Sequence, residues 1–413
     1  MNSFQKIIIP VSIFIVSAFN ILLAQTANKT DWKEDLKVYK ESLEQKHIDL
    51  YHSVSKETFL TEWSKIYDNV ESLNDFDIIL KLMRLTRRIN DGHTAISLRN
   101  IPTHRFPFEI EFIEGRWYVT KTLKENKQIL KTALESINGI PIDTVAKKVS
   151  EFAQFVENEY SLKERTSSYL TTAELLFHLN LIDTISDAKF IFRDNNKKLL
   201  TMELAAITDE QWEGSDVSNI NLTVPEIKKP TIDNPDLWYT SISGTKAVYI
   251  NFAGYPSFEE MQVFGAQLVF DIQEKQIKQV IIDMRENGGG DLYVGTVLAY
   301  ALNLADCIDW KNGVFVLTSN KTFSAATSNA ALFKQLLNAK IVGQPTGSNP
   351  NGYQDMDSFT LPNSKLVITY SKRLFRLSPQ ENTALQPDII INQQQQDFFM
   401  GIDTVLKELI RAF

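Results

Sequence analysis

The sequence predicts an α/β protein whose C-terminal half is a largely parallel sheet with helices on both faces, and three observations carry that expectation. Beyond Trp238, short apolar stretches alternate with helical ones. Strands are expected at Ala247 to Phe252, Gln279 to Met284, Val314 to Thr318 and Lys340 to Gly343, with helices near Phe258 to Glu274, Leu292 to Leu302 and Ala325 to Leu337. The strands are nearly continuous in apolar residues instead of alternating, which suits a sheet covered on two sides. Small-residue turns, Gly288 to Gly290 and the segment leading into Ser324, fall at strand-to-helix junctions.

The rest of the 413-residue chain is read from its start. Residues 1 to 24 combine a charged start at Lys6, an apolar run from Ile7 to Leu23 and a small exit residue, Ala24, which is the pattern of a cleaved export signal. The alternative is a retained anchor, because a run of this length approaches the lower limit for spanning a bilayer. No cysteine stands near Ala24 to take a lipid. Cys307 is the only cysteine, so no intramolecular disulfide and no cysteine-based metal cluster is expected. The net charge of −8 and the lack of a basic stretch exclude nucleic acid as a partner.

From Asp31, a capping pattern with Glu34 and the spacing Leu36, Tyr39, Leu43, His47 predict a helix. A second helix follows Ser55, and a third opens at Asp75 or Asp77 and stops at Asn90-Asp91-Gly92. Phe108 to Phe112 and Arg116 to Thr120 form a hairpin about Glu114-Gly115. Leu134 to Ile137 runs into a turn at Asn138-Gly139. Residues 143 to 182 return to helix, Lys189 to Arg193 and Leu199 to Leu204 are two more strands, and the polar stretch 207 to 235, with three prolines, reads as a linker.

Two turns carry the chemistry. Three consecutive glycines directly after a buried strand leave backbone N–H groups free to hold negative charge. Taken alone, they are a tight connection. Ser324 opens the helix after the next strand, so its hydroxyl and the Ala325 N–H belong to the same sheet edge as Gly289 and Gly290. Taken alone, Ser324 is an N-cap. The pair of turns on successive strands points instead to a serine nucleophile beside an oxyanion hole.

These residues carry a resemblance. Val-Ile-Ile-Asp-Met-Arg-Glu-Asn-Gly-Gly-Gly (280 to 290) resembles a signature of the tail-specific, or C-terminal processing, serine peptidases. Thr-Ser-Asn-Lys-Thr-Phe-Ser-Ala-Ala (318 to 326) is similar to that family's nucleophile segment. Lys-Ile-Val-Gly-Gln-Pro-Thr-Gly (340 to 347) and Leu-Gln-Pro-Asp-Ile-Ile-Ile (385 to 391) resemble its later strands, while Asp-Gly-His-Thr (91 to 94) and Ile-Asn-Gly-Ile-Pro-Ile (137 to 142) extend the likeness upstream. The resemblance implies a Clp-protease/crotonase-like catalytic core with an N-terminal helical unit and a small PDZ-like β module. The expected organisation is a signal peptide at 1–24, a helical domain at 25–100, the PDZ-like module at 101–150, a connecting region and linker at 151–235, and the catalytic domain at 236–413.

The resemblance also implies the catalytic groups. Gly347-Ser-Asn-Pro-Asn-Gly-Tyr lacks the lysine that one branch of the family uses as base. The branch similar to the tricorn core and to interphotoreceptor retinoid-binding protein uses a histidine and a glutamate, and His93 and Glu381 match those positions. A hydroxyl residue precedes the histidine in that branch, where this chain has Gly92. A neutral imidazole takes a serine proton near pH 7, and a carboxylate fixes its tautomer. The expectation is an exported, periplasmic or secreted, serine peptidase acting on protein or peptide substrates, with no cofactor or metal; membrane association requires a retained N-terminal segment. A non-catalytic binding protein on the same fold and an acyl-transfer enzyme of the crotonase kind are the alternatives. The first would lack the base, and the second would lack a serine at the helix start.

Overall fold

The computed structural model describes residues 30–379 and 383–413; the signal expected at 1–24 and Glu381 lie outside them. The chain opens with three capped helices, α1 (Trp32–Lys46), α2 (Lys56–Asn69) and α3 (Asp75–Arg87). Asp31, Ser55 and Asn74 accept N–H groups of their first turns, satisfying donors the helix itself cannot. The apolar spacing buries Leu36, Tyr39 and Leu43 of α1 against Phe59, Ile78, Leu82 and Met83 in one core.

A β-rich layer follows. Strands β1 (Phe108–Ile113) and β2 (Arg116–Leu123) make the hairpin about Glu114-Gly115, and β3 (Ala133–Ile137) joins them. Helices α4 (Ile142–Ser150), α5 (Glu159–Tyr169) and α6 (Ala173–His178) then precede β4 (Asp187–Arg193), which pairs onto β3, and β5 (Leu199–Ala205), which pairs onto β4 and completes the layer well beyond residue 150. The stretch read as linker holds structure of its own. Thr208 and Gln211 form a capping box, Trp212 is buried, and the short strand Val217–Asn219 pairs with β2. Polar composition hid a segment anchored by a single large side chain.

The C-terminal half is the expected α/β layer. A six-stranded sheet runs β6 (Leu237–Ser241), β7 (Ala247–Phe252), β8 (Gln279–Asp283), β9 (Val314–Thr318), β10 (Lys340–Gly343) and a final short strand, Ile389–Ile390. All pairings are parallel except β6 with β7. Helices α7 (Phe258–Glu274), α8 (Leu292–Leu302) and α9 (Ala325–Leu336) cover one face, and Val405, Leu406 and Leu409 near the C-terminus pack on the other.

One hairpin departs from this layer. Strands β11 (Asn351–Thr360) and β12 (Val367–Arg376) pair with each other, and β12 also pairs with Ile96–Ser97. Leu361, Leu366, Ile368 and Tyr370 sit in the core of the N-terminal helices. The hairpin therefore carries the Asp91–Thr94 segment to the edge of the parallel sheet.

Candidate active site

The turn after β9 is held in a conformation that a serine adopts only under constraint. Ser324 has φ 55° and ψ −127°, and its side chain caps no helical N–H. A positive φ outside glycine costs on the order of 1–3 kcal/mol and persists where surrounding bonds enforce it. Here Thr322 Oγ1 donates to the Met284 carbonyl (2.9 Å), Ser319 Oγ to the Arg285 carbonyl (2.5 Å) and Phe323 N to the Asn287 carbonyl (3.1 Å). Ser324 N donates to Ser348 Oγ at 2.8 Å. Every tie but the last goes to the glycine turn, so the two turns form one unit.

Asn287 organises that glycine turn. It is fully buried, its Nδ2 donates to the Phe252 carbonyl (2.8 Å), and its Oδ1 accepts the Gly289 N–H (3.0 Å). Gly289 has φ +114°, and a Cβ there would stand 2.7 Å from Ser324 Cβ and 3.1 Å from the Phe323 carbonyl oxygen. Glycine is required both by φ and by this approach. The Gly289 N–H is thus engaged by Asn287, whereas the N–H groups of Gly290 and Ala325 have no acceptor among the described residues.

His93 arrives from 231 positions away in sequence, and its Nε2 lies 2.9 Å from Ser324 Oγ. Asp91 builds the turn that presents it: Oδ1 accepts the N–H groups of His93 (2.9 Å) and Thr94 (2.7 Å) and the Ser371 hydroxyl (2.8 Å), and Oδ2 is bonded to His47 Nε2 at 2.7 Å. Burial works to raise the Asp91 pKa, but the His47 bond and charge, with Ser371 and Thr94, prevail and hold it below the usual carboxylate range. His93 itself is 2% exposed. Burial pushes its pKa down to about 4 against the opposing charge of Asp91. The ring is therefore neutral at pH 7. With Nε2 accepting from the Ser324 hydroxyl, Nδ1 carries the ring proton; Nδ1 is buried with no side-chain acceptor among the described residues, and the Tyr353 backbone is the polar group that acts on the ring from the protein.

The described residue next after Glu381 and Asn382 is Thr383, whose carbonyl accepts from Asn158 Nδ2 at 2.9 Å. Beside Asn158 lies a group that no motif announced. Glu157 Oε1 accepts the Asn349 N–H at 3.2 Å, and Oε2 is buried with no partner. Gly92 makes room for it, since a Cβ on Gly92 would lie 2.9 Å from Oε2 and 2.7 Å from the Phe323 ring. The glycine where the resembling branch has a hydroxyl is thus a space filled by the Glu157 carboxyl. Burial, aided by Asp91 and opposed by the Asn349 N–H, raises the Glu157 pKa to about 8, so it is protonated at neutral pH.

That proton has a measurable consequence. Between the unfolded pKa of about 4.3 and the folded value of about 8, the folded state binds the extra proton, so Glu157 costs the protein stability progressively as pH rises through this window. Glu157→Gln removes the cost. Its melting temperature is expected to match the wild type near pH 4.5 and to exceed it by roughly a few degrees at pH 8. Parallel melting curves for the two proteins across this range would contradict the assignment.

A cleft of about 1140 Å³ flanks the nucleophile turn without including Ser324 or His93. On its wall Lys321 Nζ bonds Glu111 of β1 (2.7 Å) and Glu286 of the glycine turn (3.0 Å), tying the β-rich layer to both turns. Of the other histidines, His104 pairs with Glu174 and His178 with Asp77, while His52 stacks near Tyr353. Only His47 acts on the site, through Asp91. Ser348 and Asn349 were missed because their roles depend on chain segments distant in sequence; a serine directly after Thr346-Gly347 was the available signal.

No protein-family profile and no curated protein matches this sequence. Solved structures do. Mature CPAF superposes with a TM-score of 0.65 at 12% identity over 92% of this chain and 95% of its own. Mature CPAF complexed with lactacystin gives 0.64 at 12% identity over 92% and 97%. The photosystem II D1 C-terminal processing protease gives 0.44 at 13% identity over 88% and 94%. The first two likenesses establish the fold: this chain has the architecture of mature CPAF over nearly its whole described length.

Proposed function

We propose that this chain is an exported serine-type peptidase of the tail-specific kind that hydrolyses peptide bonds in proteins or peptides. The observation that carries the reading is the 2.9 Å approach of His93 Nε2 to the hydroxyl of a serine held at positive φ. Ser324 Oγ attacks the carbonyl carbon while Nε2 takes its proton, and the same proton passes to the leaving amine as the acyl-enzyme forms. Gly290 N–H and Ala325 N–H are the free donors for the oxyanion. Gly289 N–H is taken up by Asn287, so Gly289 contributes its lack of a side chain, which lets the turn approach Ser324. Glu381 is the proposed orienting carboxylate for Nδ1–H, and residues 1–24 are proposed to direct export to the periplasm or the medium. The fold shared with CPAF, a structure of which is complexed with lactacystin, supports the same reading. The test is hydrolysis of an unfolded protein substrate by the wild type and by Ser324→Ala: cleavage by the first alone is expected, and equal cleavage or none by either contradicts it.

Two further outcomes follow from the geometry. Gly289→Ala forces a methyl into the Ser324 Cβ, so the acylation rate is expected to fall roughly 10²–10³-fold, the loss typical of a disturbed oxyanion hole. A lowered melting temperature with an unaltered acylation rate would reduce the turn to a connector. For pH, His93 acts as base only when neutral, and burial lowers its pKa to about 4. The acid limb of kcat/KM is therefore expected near pH 4, measured on a neutral peptide. A limb near the ordinary histidine value, ~6.5, would show that His93 is not buried as described.

A further inference from the structure

Two backbone states are open to a serine in the place of Ser324. As the residue before α9 it holds the N-cap position, where serine ordinarily takes an extended, negative φ and accepts a first-turn N–H with its hydroxyl oxygen. Here φ is 55°, the cap bond is not made, and the hydroxyl is bonded to His93 instead. Relaxation to the ordinary cap would turn Oγ onto the first turn of α9 and away from His93 Nε2. Local preference therefore favours a serine that cannot react.

Ser348 supplies an opposing bond. The Ser324 N–H donates to its Oγ at 2.8 Å, and a chain of fixed direction aims that acceptor. Ser348 Oγ donates to Thr327 Oγ1 (2.9 Å), which donates in turn to the Thr322 carbonyl (3.0 Å). The one proton of each hydroxyl is thus committed, which leaves the Ser348 lone pairs for the Ser324 N–H. Ser348, Thr327 and Thr322 are all fully buried. The Ser348 backbone is held as well. Gly347 N–H donates to the Thr322 carbonyl (2.9 Å) and Thr346 Oγ1 to the Ser348 carbonyl (2.7 Å), while Gln354 joins the Asn349 carbonyl (2.7 Å) to the Ser328 hydroxyl (2.9 Å).

The peptide between Phe323 and Ser324, whose rotation sets φ, is tied at both ends. Its carbonyl takes the Ala326 N–H (3.0 Å) from within the same turn, and its N–H goes outside the turn to Ser348. An enclosed N–H that loses its acceptor carries the full cost of desolvation, so removing the Ser348 hydroxyl tips the balance toward the relaxed turn.

We propose that Ser348 is a positioning residue: by accepting the Ser324 N–H it holds the nucleophile turn at positive φ, with Oγ toward His93, against relaxation to an unreactive N-cap. The same bond withdraws the Ser324 N–H from the oxyanion donors. The inference rests on the peptidase reading and adds that the backbone state of Ser324 governs acylation.

The test measures the rate of fluorophosphonate labelling at Ser324, with kcat and KM on a cleaved protein substrate, for the full chain as wild type, Ser348→Ala, Ser348→Thr and Ser348→Val. A crystal structure of Ser348→Ala accompanies it. Alanine is expected to slow labelling and kcat roughly tenfold to a hundredfold, the population shift that follows loss of one buried bond, with KM little changed. Threonine keeps the acceptor and should restore most of the rate, whereas valine, of the same shape, should not. In the alanine structure φ at Ser324 should be negative, with Oγ on a first-turn N–H of α9. Phe59→Leu, in the core of the N-terminal helices, is the control: it should lower the melting temperature and leave labelling per folded molecule unchanged. Labelling of Ser348→Ala at the wild-type rate overturns the proposal, as does threonine no faster than valine, or a φ still near 55° in the alanine structure. Where Ser348→Ala does not fold, the threonine and valine pair decides. A folded wild type that takes up no label sinks the peptidase reading, and φ in the alanine structure then judges this inference by itself.

Discussion

Ser324→Ala is expected to abolish hydrolysis while leaving the fold and melting temperature nearly unchanged. The Ser324 side chain caps nothing, and its hydroxyl is bonded to His93, so alanine removes one hydrogen bond and keeps the backbone geometry. The stability change should stay near the ~0.5–1.5 kcal/mol net worth of such a bond. The rate loss should reach roughly 10⁶-fold, as when a serine nucleophile is removed from a catalytic unit. Residual cleavage within tenfold of the wild type would mean that another group attacks. A large drop in melting temperature would mean that the positive φ at 324 depends on the hydroxyl.

His93→Ala is expected to be nearly as inactive, and the double variant with Ser324→Ala no worse than either single one. Nucleophile and base act as a unit, so removing one leaves the other without a function in the reaction. Additive losses in kcat/KM would show that they act independently. Because His93 is almost fully enclosed, its replacement also opens a cavity beside Phe323 and a stability loss of about 2 kcal/mol or more is expected. Activity is therefore to be expressed per folded molecule, and His93→Gln, which keeps bulk, should be as inactive as alanine.

The strands of the parallel sheet and the two turns that end β8 and β9 were legible because each is a local pattern: an apolar run, then a break where the backbone needs glycine or a helix start. The Asp91-Gly92-His93 stop after α3 was legible for the same reason. What local pattern could not tell was why position 92 is glycine, since the answer is a carboxyl 65 positions further on, Glu157, packed against it. Nor could it tell that His47 braces Asp91, or that β12 pairs with Ile96–Ser97, a contact bridging more than 270 positions in sequence. Residue types mark chemistry where the partner is close in sequence. Where the partner is brought by tertiary pairing, burial and unpaired polar atoms are the signal.

A strained serine beside a buried neutral imidazole should react as a nucleophile. Reaction of the full chain with a fluorophosphonate, followed by proteolytic digestion and mass spectrometry, measures it without knowledge of the substrate. A single stoichiometric phosphonyl adduct is expected on the peptide that contains Ser324, absent in Ser324→Ala and strongly slowed in His93→Ala. A folded protein that takes up no label, or takes it up at another residue, would contradict it.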